Sequence, residues 1–134
     1  MSGLDDDQRA FLAVAMRGTL FANRRDGTPT GWPMTLLWQG DDQLYVNTYR
    51  KAAKAHVLRR DGRVAVVARH GTRALAVQGD ARLVPQDEAA SMFPRMVRTD
   101  GFVPPEQAAR TVRRLQEGRR CLFRITPTTV TWLS

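Results

Sequence analysis

The sequence predicts a single, mainly β domain: six or seven mostly antiparallel strands with short helices inserted, curled into a closed or nearly closed barrel. Short apolar stretches recur between turn-forming clusters such as Asp26-Gly27-Thr28-Pro29 and Gly40-Asp41-Asp42. The strands do not alternate with long helices, which argues against a parallel α/β sheet. For that many strands, closure leaves the fewest unpaired edges.

Ser2 and Asp5 form an S-x-x-D capping pattern ahead of Phe11, Val14 and Ala15 at helical spacing, so the chain opens with a helix ending near Gly18. Residues 19–23, 34–38 and 44–49 then read as a three-strand meander. In the last of these, Leu44, Val46 and Thr48 point one way and Tyr45, Asn47 and Tyr49 the other, giving a core face and a polar face. Residues 51–60 switch to a helical period, with Ala52, Ala55 and Leu58 on one stripe, and Asp61-Gly62 stops that helix. A buried strand over 64–68, a turn at Gly71 and a long strand over 74–84 follow. Pro85 opens a helix carrying Ala89, Met92, Phe93 and Met96, in which Pro94 implies a kink or break. After Gly101, Pro104-Pro105 starts a further helix with Ala108, Val112 and Leu115 spaced for burial, and Gly118 ends it. Residues 121–125 and 130–132, with Thr126-Pro127-Thr128 between them, close the chain as a hairpin or one bent strand.

With 134 residues, 43% hydrophobic and 25% charged, the chain has the size and balance of one globular domain, residues 1–134. No stretch reads as a membrane span. The acidic start at Asp5, Asp6 and Asp7 has the wrong charge for a secretory signal, so a cytoplasmic location is expected. Cys121 cannot form an internal disulfide and reads as a small buried hydrophobe. His56 and His70 lack metal-ligand spacing, and no G-x-S-x-G, G-x-G-x-x-G or Walker motif occurs. Metal catalysis, hydrolysis and dinucleotide binding of those kinds are therefore not expected.

The net charge is +8, yet only Lys51 and Lys54 of the 21 basic residues are lysines. Two lysines three apart, in a chain that otherwise uses arginine, suit a need for compact ammonium groups; chance gives the same pattern. They belong to the one segment with a chemical signature: Asn47, Thr48 and Tyr49 end a strand that runs into Arg50, Lys51 and Lys54 at a helix start. Helix N-terminal amides and charge-assisted hydrogen bonds from these side chains suit a phosphate. An ordinary solvated basic surface fits the same residues.

The order Asp26-Gly27-Thr28-Pro29, Trp38 before an acidic turn, Leu44-Tyr45-Val46-Asn47-Thr48 leading to Lys54, then Leu58-Arg59-Arg60-Asp61 and Arg63-Val64-Ala65-Val66-Val67 resembles the pyridoxamine 5'-phosphate oxidase-like split β-barrels. Gly79-Asp80-Ala81-Arg82-Leu83-Val84 and Phe123-Arg124-Ile125-Thr126-Pro127 extend the resemblance over nearly the whole chain. It implies a homodimer with two flavin-type cofactors at the subunit interface and the cofactor phosphate near Lys54. The cofactor that the resemblance implies is FMN or, as the shortness of the chain and Leu58-Arg59-Arg60-Asp61 favour, the deazaflavin coenzyme F-420, used for hydride transfer to a small organic substrate. The chain departs from the family pattern in two respects: Ala52 and Ala53 stand where an arginine is frequent, and Val57 where asparagine is. Pyridoxamine phosphate oxidase activity itself is not expected, because Thr131-Trp132-Leu133-Ser134 lacks the basic substrate motif. No catalytic residue is assigned, since Tyr45 and Tyr49 serve equally well as packing residues.

A non-catalytic carrier of a flavin, deazaflavin or tetrapyrrole is the alternative reading. A nucleic-acid-binding barrel fits less well: with five Phe, three Trp and two Tyr, the strand faces do not interleave aromatic with basic residues. No specific nucleic acid and no membrane partner is expected.

Overall fold

The computed structural model describes residues 3–96 and 104–134. Helix α1 (Asp6–Val14) starts at a capping box one turn later than expected: the Gln8 N–H donates to Asp5 Oδ1 at 2.8 Å and the Asp5 N–H to Gln8 Oε1 at 2.9 Å. Ser2 lies outside the described residues. The helix stops at Val14 and not near Gly18, which belongs to β1 (Arg17–Asn23). A Cβ on Gly18 would stand 2.6 Å from the Val67 carbonyl oxygen, so this glycine permits close strand approach instead of ending a helix.

Strand β1 turns at Gly27, φ 87°, into β2 (Pro29–Thr35), which pairs with it from Asn23↔Pro29 to Arg17↔Thr35. The expected strand over 34–38 is thus divided. Leu36 separates β2 from the short β3 (Leu37–Trp38) and donates its N–H to the Met16 carbonyl at 2.9 Å. Then come β4 (Leu44–Tyr49), α2 (Ala53–Arg60), β5 (Arg63–His70), β6 (Arg73–Leu83), α3 (Gln86–Met96), α4 (Pro105–Gln116) and β7 (Arg120–Trp132).

All seven strands form one antiparallel sheet in the order β2-β1-β5-β6-β7-β4-β3. Strands β2 and β3, consecutive in the chain, therefore occupy opposite edges, and the sheet curls into a half-barrel whose seam the chain crosses at Leu36. This corrects the three-strand meander: β4 pairs with β3 and β7, not with β2. The end of the chain is one bent strand and not a hairpin. A register shift at Gln78/Gly79 puts Pro127 opposite Gly79, where the missing N–H costs no regular ladder bond.

Two apolar clusters hold the sheet. Leu20, Val66, Val77 and Phe123 fill the barrel together with Leu12 of α1 and Leu58 of α2; Tyr45 and Leu122 of the sheet form a second cluster with Phe93 and Met96 of α3 and Leu115 of α4. Each such side chain contributes about 1.5–3 kcal/mol by burial. Strand β4 serves both clusters, so its second face is not simply polar: Tyr45 is buried there. Helix α3 stays helical through Pro94 to Met96 without the expected break, the lost donor falling in its last described turn. Gly101 lies outside the described residues. On α4, Thr111 and Leu115 are buried and Ala108 and Val112 half-buried. Among the described residues no helix is long and apolar enough to cross a membrane.

Candidate functional site

The alternation of β4 divides the six residues singled out by sequence. Thr48, 4% exposed, faces the barrel core. Asn47 and Tyr49 face the other way, towards the end of α4. There Arg120 Nη1 donates to Asn47 Oδ1 at 2.8 Å, the Arg120 guanidinium lies 4.0 Å from the Tyr49 ring centroid, and Arg114 Nη1 donates to the Tyr49 hydroxyl at 3.3 Å. The buried Arg120 Nε has no hydrogen-bond partner among the described residues. Arg120, with Arg114 and Arg119 behind it, holds the exposed Tyr49 phenol below the usual tyrosine range.

Arg50 joins this corner as a brace: its Nε donates to the Gly118 carbonyl at 2.8 Å, and its own carbonyl accepts from Arg59 Nη2 at 3.2 Å. Lys51 is exposed and precedes the helix, which begins at Ala53. Lys54 stands apart. It sits in the first turn of α2, half-buried, with Nζ 3.8 Å from Met34 Sδ on β2. No side chain caps this helix, its N-cap residue is Ala52, and no acidic residue lies in its first turn. The structure thus brings Asn47, Tyr49 and Arg50 to one rim and puts Lys54 at the barrel wall.

A thioether accepts hydrogen bonds weakly, so the three donors of the Lys54 ammonium remain available for an anion. The open amides at the start of α2 point the same way, and a positive charge at a helix N-terminus opposes the helix dipole, by about 0.3–1 kcal/mol in exposed settings. An oxyanion here removes both costs. Lys54 and the first-turn amides therefore fit a phosphate. Trp32 and Met34, partly buried against the barrel core, offer neighbouring apolar surface.

Tyr45 has no such freedom. Its hydroxyl donates to Asp41 Oδ2 at 2.7 Å and accepts from Arg124 Nε at 3.0 Å, and Arg124 is paired with Glu88 at 3.0 Å. Burial pushes this phenol up, against the pull of Arg124. It is a structural tie between β4, β7 and α3. Burial likewise raises the Cys121 thiol. No group of three or more His, Cys, Asp or Glu side chains among the described residues could hold a metal ion.

Sequence reasoning missed Arg114 and Arg120, which lie 65 and 73 residues from the partners they touch. The only signal for Arg120 is the register Tyr49↔Arg120, and that exists only once β4 is known to pair with β7. It also missed a basic hollow of about 540 Å³ beyond the C-terminal end of α2, lined by Arg24, Arg25, Arg60 and Arg63.

Comparison with protein families matches residues 4–132 to pyridoxamine 5'-phosphate oxidase. Comparison with the curated proteins gives no match. Among solved structures, a conserved hypothetical protein from Mycobacterium tuberculosis is similar at 24% identity and TM-score 0.74, over 96% of this chain and 84% of that one. An F420 reductase is similar at 23% identity and TM-score 0.70, over 96% and 98%. A FAD-binding protein from Mesorhizobium loti is similar at 22% identity and TM-score 0.62, over 96% and 94%. At these identities the likeness is one of fold.

Proposed function

The chain belongs to the pyridoxamine 5'-phosphate oxidase family, and from that premise we propose that it binds a phosphate-bearing flavin-type cofactor, coenzyme F-420 or FMN, and uses it in a two-electron oxidoreductase reaction on a small organic substrate. One observation carries the reading: Lys54, at the uncapped start of α2, has a methionine sulfur as its hydrogen-bonding neighbour. A cation so placed is poorly compensated among the described residues. A cofactor phosphate supplies what it lacks.

The family includes flavin-dependent oxidoreductases, and the fold is shared with an F420 reductase and a FAD-binding protein. When bound, a cofactor of this type supplies the hydride. Lys54 Nζ and the first-turn amides of α2 would hold the phosphate, and Trp32 and Met34 would offer apolar surface beside it. Tyr49 of β4 and Arg120 of β7, paired across the two strands on the face opposite Thr48, keep that rim polar. We place the functional unit as a homodimer, because 134 residues leave too little surface to enclose a large cofactor in one subunit.

The test is direct. Purified protein is titrated with FMN and with coenzyme F-420 by absorbance and fluorescence, then assayed for oxidation of the reduced cofactor. Micromolar binding of one cofactor with substrate-dependent oxidation supports the reading; binding without turnover in any acceptor screen favours a carrier, and binding of neither contradicts both.

A further inference from the structure

Two hollows run together at the end of the barrel away from the start of α2. The basic one lies between the 24–28 turn and the α2–β5 junction, and besides its arginines it is lined by Asn23 and Asp61. The other, of about 350 Å³, shares Asn23 and Arg63 with it and continues over Phe21, Pro29 and Ala65. Both volumes lie in the range that holds small organic ligands.

The charges in the basic hollow do not cancel. Arg63 is paired with Asp61 at 2.8 Å, and Arg24 acts on Asp26, which Thr28 hydrogen-bonds. Arg25 and Arg60 are in no ion pair among the described residues. One Arg60 nitrogen, Nη2, donates to the Asn23 carbonyl at 2.8 Å, which ties the guanidinium to the lining of the hollow and leaves its other N–H groups without a partner among the described residues. The apolar part is shaped by a glycine: a Cβ on Gly31 would stand 2.8 Å from Phe21 Cδ1, so the missing side chain gives the ring its place against β2. Phe21 is still 40% exposed there, an aromatic surface left open in the hollow that adjoins the basic one.

We propose that the joined slot binds a small organic anion, its flat apolar body resting on Phe21 and Ala65 and its phosphate or carboxylate held by Arg25 and Arg60. Arginine forks engage both oxyanions in bidentate fashion, while an aromatic body buries the exposed ring. The site is independent of the Lys54 seat. Six residues of helix, about 9 Å of rise, separate Lys54 from Arg60.

The probes are 2-naphthyl phosphate, 2-naphthoate, inorganic phosphate and 2-naphthol, titrated calorimetrically against the full chain. At least one naphthyl anion should bind about tenfold or more tightly than either inorganic phosphate or 2-naphthol, and the tighter of the two identifies the oxyanion preferred. The double variant Arg25→Gln/Arg60→Gln should weaken that binding about tenfold, and Phe21→Ser about threefold. Lys54→Ala should leave it unchanged. Phe21, Arg25 and Arg60 are exposed, and the two arms attack opposite ends of the slot, so a folding failure in one leaves the other decisive. The inference is overturned if inorganic phosphate binds as tightly as the naphthyl anions, if both slot variants bind like the parent, or if Lys54→Ala abolishes binding.

Discussion

At the N-terminal end of α2, Lys54 stands in an uncapped first turn beside a methionine sulfur, whereas at the C-terminal end Arg59 and Arg60 follow the helix dipole and Asp61 clasps Arg63 at 2.8 Å. The same sign of charge is placed against the local field at one end and with it at the other. The helix dipole favours a cation at the C-terminus and opposes a half-buried lysine at the N-terminus. That contrast, and not the total of +8, distinguishes the two ends electrostatically.

The largest effect should come from cutting the helix loose from the barrel. Leu58 is 2% exposed in the barrel core, and Leu58→Ala should cost about 2–5 kcal/mol in urea unfolding, weakening both ends together. A smaller effect separates the two tyrosines of β4. Tyr49, held low chiefly by Arg120, should ionise below the usual tyrosine range and Tyr45, raised by burial, above it, as resolved by ultraviolet absorbance against pH. The depressed Tyr49 contributes stability above the ordinary tyrosine range, and that contribution fades as pH falls through its folded value; the raised Tyr45 contributes below the range and loses it as pH climbs. Arg120→Gln should return Tyr49 towards its ordinary value. The smallest effect concerns Asp61, which the Arg63 side chain and N–H hold well below the usual carboxylate range. Its contribution is present above about pH 4 and lost as pH falls towards the folded value, so melting curves of parent and Asp61→Asn should differ slightly at neutral pH and converge in acid.

Much of the fold was legible because its signals are local. Turn residues with φ > 0, such as Gly27, Gly40 and Gly71, punctuate the chain, and residues 44–49 alternate as a strand must. The three-strand meander failed because strand partners are not a local property: residues 34–38 carry no mark of a sheet seam, and Leu36 becomes one only when β2 and β3 reach opposite edges. At the site, Lys54 was legible as an odd lysine at a helix start. That Arg50 braces Gly118 was not, since the partner is 68 residues away.

The central claim is that Lys54 seats the cofactor phosphate. Binding of FMN and of coenzyme F-420 should be measured for the parent and for Lys54→Ala, alongside melting temperature. A charge-assisted contact of about 1.5–3 kcal/mol predicts roughly ten- to a hundredfold weaker binding with the melting temperature of the free protein nearly unchanged. Equal affinity in parent and variant, for whichever cofactor binds, would contradict the claim.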